Sequence, residues 1–362
     1  MSSVIRAAVV RERGAKFEIR DDVELADPRP GEVRVAIRYC GVCGSDLSAW
    51  ASPTVPLDPP FVLGHEAAGE ILEIGPGVTG LEPGQHVVLS FVAPCGHCAQ
   101  CWAGRSNLCR ANALAAAGRG LLSVAGEPVG SMSLAGYAEQ TVVPASAVVP
   151  VDDDVPLDLA ALIGCGVMTG VGAVINTARV EPGATVAVLG AGGVGLNVIQ
   201  GARIAGAAVI IAVDPVGGRR DAALSLGATH TAAPDEFPAL AADLTGGAGV
   251  DYAFEVSGRP ESLRPGILST RRGGTTVLVG LSNAELPVTV REIALNERRI
   301  LGSFYGSGRT QIDFPRLIAL WRSGQLGLAR LVTARIALGE VDGAFEAMRA
   351  GEGIRTVIDL AR

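Results

Sequence analysis

The segment from Ala184 to Ala202 constrains the fold more than any other. It reads Ala-Thr-Val-Ala-Val-Leu, then Gly190-Ala191-Gly192-Gly193-Val194-Gly195, then Leu-Asn-Val-Ile-Gln-Gly-Ala. A short β-branched run, glycines spaced G-x-G-x-x-G, and a stretch of small and apolar residues predict a strand, a tight turn and a helix. Gly190 permits the turn, Gly192 lets backbone come close to a pyrophosphate, and Gly195 lets helix and strand pack closely. Gly193 and Val194 open the helix, whose free N–H groups and partial positive charge would face the phosphates. A second strand over 208–213 ends at Asp214, nineteen residues after Gly195. An acid there bonds the adenosine ribose and repels a 2′-phosphate, which favours NAD over NADP. Arg219 and Arg220 soften that preference, because arginine can receive the phosphate. Strand-like runs over 250–255 and 275–280 continue the alternation. The expectation is an α/β unit of Rossmann type, with a doubly wound parallel sheet.

Seven cysteines supply the next constraint. Four lie in fifteen residues, as C-x2-C-x2-C-x7-C from Cys95 to Cys109. Cys-x2-Cys turns bring two thiolates to one side of a metal, and four thiolates complete a closed tetrahedral zinc shell. The intervening residues show neither helical nor strand period, so metal binding would supply the folding energy of this loop. An iron–sulfur cluster is the rival reading, weakened by the lack of a proline after the last cysteine and of a second cluster motif. His97 reads as a loop residue. The odd count argues against a disulfide framework.

Two of the other three cysteines point to a second metal. Tyr39-Cys40-Gly41-Val42-Cys43-Gly44-Ser45-Asp46 follows a strand-like run over 32–39. Gly64-His65-Glu66 precedes another over 67–74, and Gly164-Cys165-Gly166 lies far downstream. Cys43, His65 and Cys165 would form a Cys2His set with an open fourth position, as a catalytic zinc needs. Spacing alone leaves a buried inert thiol as the alternative for Cys165. Cys40 is the leftover thiol, and His86 and His230 read as strand-start residues.

Composition removes several classes. Of 362 residues, 37 are acidic and 30 basic, so the net charge of −7 gives no footprint for nucleic acid or an anionic membrane. Lys16 is the single lysine. Schiff-base chemistry, a Walker lysine and a Tyr-x-x-x-Lys dyad therefore lose their key residue. Charged residues interrupt the first 24 positions, so no signal peptide is expected. Uncharged windows at 159–178 and 182–202 are long enough to span a bilayer. Their glycines, Asn176, Asn197 and Gln200 favour a buried core, and the expected location is cytoplasmic.

Taken together, Gly41–Asp46, Gly64–Glu66, the four-cysteine loop, Gly164–Gly170 and Gly190–Gly195 resemble the zinc-containing medium-chain dehydrogenase/reductase family, the alcohol dehydrogenases, over essentially the whole chain. Cys2His is the ligand set of alcohol dehydrogenase itself. The resemblance implies a GroES-like β-rich catalytic domain over 1–166 and 306–362, with a Rossmann coenzyme domain over 167–305. It implies two zinc ions per chain and NAD as hydride carrier. Cys43, His65 and Cys165 match the catalytic zinc ligands, Glu66 an acid able to approach the metal, and Asp46 the acid that orients the histidine. Cys95, Cys98, Cys101 and Cys109 match the structural zinc. Ser45 matches the relay hydroxyl. Thr169, Val279, Arg219 and Arg355 match coenzyme contacts, with Arg355 on the pyrophosphate, and Trp50 and Phe91 either wall the substrate pocket or pack in the core. A homodimer is implied, with a homotetramer as the alternative.

Two departures matter. Many members end the relay in a histidine five residues after the first zinc cysteine, where this chain has Ser48, a hydroxyl that cannot buffer a proton near neutral pH. Proton release would then use water, or the enzyme would run toward reduction. Enzymes of the glutathione adduct carry an arginine shortly after the last structural cysteine; here Arg110 is adjacent, and Ala111, Asn112 and Ala113 follow. The expected function is hydride transfer between NAD and a primary or secondary alcohol or its carbonyl partner. The alternatives are a dehydrogenase of S-hydroxymethyl thiols and, from another class, a non-catalytic zinc and dinucleotide-binding redox sensor. Loops over 48–60 and 113–133 would shape the substrate pocket.

Overall fold

The computed structural model describes residues 3–52, 57–111 and 120–362. Parts of both pocket loops, at 53–56 and 112–119, lie outside the described residues, as do Asn112 and Ala113. The chain forms two compact units. The first comprises Met1–Cys165, Arg309–Ala319 and Leu328–Arg362, and the second Gly166–Gly308 and Leu320–Gly327. The second unit thus takes in Leu320–Gly327, where Gly327 N donates to Gln200 Oε1 at 2.7 Å.

The first unit is β-rich. Strands Ser3–Val10, Glu18–Leu25, Leu122–Val124, Glu127–Ser131 and Phe61–Val62 close a small barrel. A second sheet runs, in order, through Val148–Pro150, His86–Leu89, Glu66–Ile74, Glu32–Gly41, Arg355–Asp359 and Val332–Ala337, with Gln140–Pro144 also on Glu32–Gly41. Strand Glu32–Gly41 reads as an almost unbroken buried run because it is covered on both faces.

The second unit is a six-stranded parallel sheet in the order His230–Ala232, Val209–Val213, Thr185–Leu189, Val250–Glu255, Thr270–Leu278, Arg299–Gly302. Its order reverses beside Thr185–Leu189, the switch point at which such sheets bind nucleotides. Ala187, Leu189, Ile211, Val213, Phe237 and Ala253 form one buried cluster on this sheet. Burial of this kind contributes roughly 25 cal/mol per Å² of apolar surface.

The helical run Leu157–Ala178 is long and apolar enough to cross a membrane, but 83% of its most apolar window is buried within the protein. It is a core helix. Two stretches of it, Ile163–Val167 and Ala173–Ala178, are π-helical.

Candidate active site

Register explains why residues far apart in sequence meet. Strands Glu32–Gly41 and Glu66–Ile74 pair antiparallel with Gly41 opposite Glu66. Cys43, just past the end of one strand, therefore lies beside His65, just before the start of the other. A side chain at Gly41 would collide with the Glu66 carboxylate, so glycine makes room for it. Cys165 arrives on the wide π-helical turn, packed so close to strand His86–Leu89 that a Cβ at Gly164 would come within 2.8 Å of the Leu89 carbonyl oxygen. π-turns of this kind recur at functional sites. The ligand atoms of Cys43, His65, Glu66 and Cys165 all lie within 4.8 Å of one another, and all four residues are buried.

Helix Gly44–Ala51 begins directly after Cys43 and carries Asp46 at its third position. Asp46 is fully buried. Its Oδ2 accepts from Cys43 N at 3.0 Å and from the Tyr137 hydroxyl at 3.0 Å. Its Oδ1 accepts from Gly64 N at 3.1 Å and from His65 Nδ1 at 3.0 Å. With Nδ1 held, His65 presents Nε2 to the other three groups. Burial works against charge on His65, but Asp46 and the Cys43 sulfur outweigh it and lift the imidazole to about 10. The Cys43 thiol is held well below its ordinary value, first by its hydrogen bond with Cys165, then by His65 against the effect of burial. Burial drives the Tyr137 phenol well above its usual range, so it remains a donor.

This donor set fits a zinc ion: two sulfurs and one imidazole converge, and a carboxylate stands beside them. One oxygen of that carboxylate, Glu66 Oε1, is buried with no hydrogen-bond partner among the described residues. A buried acceptor left so is costly unless something else satisfies it. Glu66 Oε2 is held by Arg355, itself buried. Strand Arg355–Asp359 pairs with Glu32–Gly41 through Val357 and Gly41, which brings Arg355 there. Arg355, matched in sequence to a pyrophosphate contact, thus holds Glu66 with one arm of its guanidinium.

The two aromatic pocket residues part company. Phe91 stands edge-on to His65, centroids 5.5 Å apart at 90°. Trp50 points elsewhere: its Nε1 donates to Ala15 O at 2.7 Å and its ring packs on Phe345 at 5.8 Å. Of the pocket and core roles that the sequence leaves open for Trp50, these contacts favour the core, with the indole N–H bonded in the turn after the first strand. Ser48 is likewise turned away; it is exposed and donates to Gly44 O at 3.1 Å along its own helix. Ser45, in the first turn of the same helix, is half-buried.

Cys95, Cys98, Cys101 and Cys109 also bring their sulfurs within 4.8 Å of one another. Short helical turns at Ala99–Trp102 and Ser106–Leu108 shape this segment, where the sequence showed no period. Backbone N–H groups of Cys101 and Arg110 pull the Cys98 thiol down to about 6, while burial lifts Cys101 to about 12. Cys95 N donates to Cys109 Sγ at 3.2 Å. His97 instead faces the Cys95 carbonyl, Nδ1 to O 2.7 Å.

In the second unit, Gly190 has φ +103° and a Cβ at Gly195 would overlap the Gly190 carbonyl oxygen. Helix Gly193–Ile204 opens at the turn, and nothing lies within 4 Å of a Cβ built on Gly192. That open face fits a pyrophosphate. Asp214 accepts from Ala191 N at 2.8 Å and Val216 N at 2.9 Å, with Arg219 3.9 Å away. Thr169 is half-buried on helix Met168–Gly172, and Val279 N donates to Glu255 O at 2.8 Å. Sequence reasoning missed Tyr137 altogether, since nothing near it in the chain marks it.

Residues 29–153 match the family model described as an alcohol dehydrogenase GroES-like domain, and 193–323 that of a zinc-binding dehydrogenase. The chain is 41% identical to an NDMA-dependent alcohol dehydrogenase of Amycolatopsis methanolica, covering 98% of each. It is 36% identical to an S-(hydroxymethyl)glutathione dehydrogenase of Paracoccus denitrificans, over 98% of this chain and 99% of that one. A benzyl alcohol dehydrogenase of Acinetobacter calcoaceticus superposes with a TM-score of 0.91 at 33% identity, over 99% of each chain.

Proposed function

The chain belongs to the zinc-binding alcohol dehydrogenase family and is a zinc-dependent alcohol dehydrogenase, and from that premise we propose how its own residues carry the reaction. Cys43, His65 and Cys165 hold the catalytic zinc, and Cys95, Cys98, Cys101 and Cys109 a second, structural one. The observation that carries this reading is the convergence of Cys43, His65, Glu66 and Cys165 within 4.8 Å.

Zinc when bound supplies a Lewis acid to the substrate oxygen, and NAD supplies the hydride acceptor. Asp46 fixes the tautomer and direction of His65. Arg355 holds one oxygen of Glu66 and leaves the other free to approach the metal. Phe91 keeps an apolar ring against His65 and limits water there. Ser45 takes the proton from the alcohol; with Ser48 turned to Gly44, solvent water takes it onward. Gly190, Gly192, Gly193, Val194 and Gly195 receive the pyrophosphate, while Asp214 selects NAD over NADP. Seven free thiols suit a reducing, cytoplasmic compartment.

A second reading, oxidation of an S-hydroxymethyl thiol, is favoured by the likeness to the Paracoccus denitrificans enzyme. A homodimer is supported by the edge strand Arg299–Gly302. In the chain just before it, Leu281 is 81% exposed and Val290 84%.

Zinc analysis and absorbance at 340 nm, with NAD against a panel of alcohols and S-(hydroxymethyl)glutathione, test the scheme. Two zinc ions per chain and NADH formation with simple alcohols are expected. Turnover confined to the glutathione adduct would move the assignment to the second reading. Asp214→Ala should lower the NAD/NADP preference by about tenfold, the loss of roughly one charge-assisted hydrogen bond. Unchanged selectivity removes Asp214 from that role.

A further inference from the structure

We propose that Tyr137 is a positioning residue of the catalytic metal site: its hydroxyl completes the hydrogen-bond shell of Asp46 and so locks His65 in its metal-facing orientation. The proposal rests on the reading of Cys43, His65 and Cys165 as zinc ligands.

A buried carboxylate offers about four acceptor positions. Asp46 fills them with four donors, two on each oxygen: Gly64 N and His65 Nδ1 on Oδ1, Cys43 N and the Tyr137 hydroxyl on Oδ2. Two of these are backbone groups and one is the ligand itself. Tyr137 is therefore the one donor that a substitution can remove without touching the ligand or the main chain. Losing it leaves one fully buried oxygen with the Cys43 N–H as its single donor, and the carboxylate is then held less firmly against His65.

The position of Tyr137 suits this task. Its backbone N donates to Leu63 O at 2.9 Å, and Gly136 N donates to Gly64 O at 2.9 Å. The residue thus grips the same turn that delivers His65. Gly64 has φ +95°, and a Cβ there would come within 2.7 Å of the Tyr137 ring and backbone N. The ring is held edge-on by Phe17 at 6.3 Å and Phe345 at 6.4 Å. Phe345 also packs on Trp50, from the helix that carries Asp46. The phenol oxygen has no freedom to drift from Asp46 while this packing holds.

The test uses the full-length zinc-loaded chain and Tyr137→Phe, which keeps the ring and every backbone contact. Zinc release to EDTA is followed for both sites, and the visible spectrum is recorded after cobalt replaces the catalytic zinc. In Tyr137→Phe the Cys43/His65/Cys165 site should release metal about tenfold faster, the lower end of what outer hydrogen-bond partners of metal-bound histidines contribute. The cobalt bands should shift, and kcat should fall with the KM for NAD unchanged. The four-cysteine site should release at its usual rate, which reports that the fold survives. Phe345→Leu loosens the packing but keeps the hydroxyl, and should shift the cobalt bands less than Tyr137→Phe does. Release from Tyr137→Phe within about twofold of the wild type, or equal effects of both substitutions, overturns the proposal. A wild-type chain holding only the four-cysteine zinc would instead overturn the ligand assignment beneath it.

Discussion

The two cysteine sites of the first unit solve one problem in opposite ways. Cys95–Cys109 gathers four sulfurs within fifteen residues, on a segment with little buried apolar surface, and its sulfurs draw on backbone N–H groups of the same loop. Cys43, His65 and Cys165 come from three stretches, are buried, and depend on strand register, a π-turn and Asp46. The first arrangement has little else to hold it and would draw its folding energy from a bound metal. The second is held by the surrounding fold before any metal arrives, so its geometry can serve chemistry. One is a staple and the other a preorganised site.

Breaking the dispersed site should have the largest effect. Cys165→Ser should remove one zinc and lower turnover by at least about a thousandfold, the several kcal/mol that a Lewis acid contributes. NAD affinity and Tm should stay near normal in a fluorescence titration and a thermal scan. Retained activity would sink the ligand set. Cys101→Ser should do the reverse: zinc at the dispersed site stays, and Tm falls by about 5 °C, as expected for roughly 2 kcal/mol in a unit of this size. Proteolysis between Cys95 and Cys109 should accelerate. Equal losses of activity and stability in both variants would erase the distinction.

Acidity sharpens the comparison further. In metal-free protein His65 keeps its proton up to about pH 10. Zinc must displace that proton, so affinity of the stripped dispersed site should rise with pH between 6 and 9, by up to about tenfold per unit for each proton released. The sign for the apoprotein is opposite. A raised folded pKa stabilises below the unfolded value of about 6.5 and loses that contribution as pH climbs toward 10. Chelator competition and thermal scans across this range measure both slopes. A flat affinity profile would contradict the protonated state of His65. The smallest effect belongs to Trp50→Phe, which removes the bond to Ala15 O and should cost about 1 kcal/mol of stability with little change in KM. A large change in KM would return Trp50 to the substrate pocket.

Much of the fold was legible because its signals are local. The glycine turn, the β-branched runs and the four-cysteine spacing each declare themselves within about twenty residues. Cys43 and His65 were readable because their glycine-flanked turns are distinctive. What the chain hid were properties of packing. Whether Trp50 faces a pocket or Phe345 depends on a helix near the C-terminus. Arg355 owes its place beside Glu66 to a strand added more than three hundred residues after Gly41. Tyr137 reaches Asp46 across 91 positions, and no spacing rule covers such a contact.

The backbone passes between the two units four times, at 165/166, 308/309, 319/320 and 327/328. An uninterrupted fragment cut to the nucleotide unit, 166–308, would lack Leu320–Gly327 and strand the buried Gln200 oxygen that Gly327 satisfies. That oxygen would then have to find water in place of its bond to Gly327. Transplanting this module into another scaffold therefore takes two pieces of chain, and exchange by a single crossover would inherit a defect.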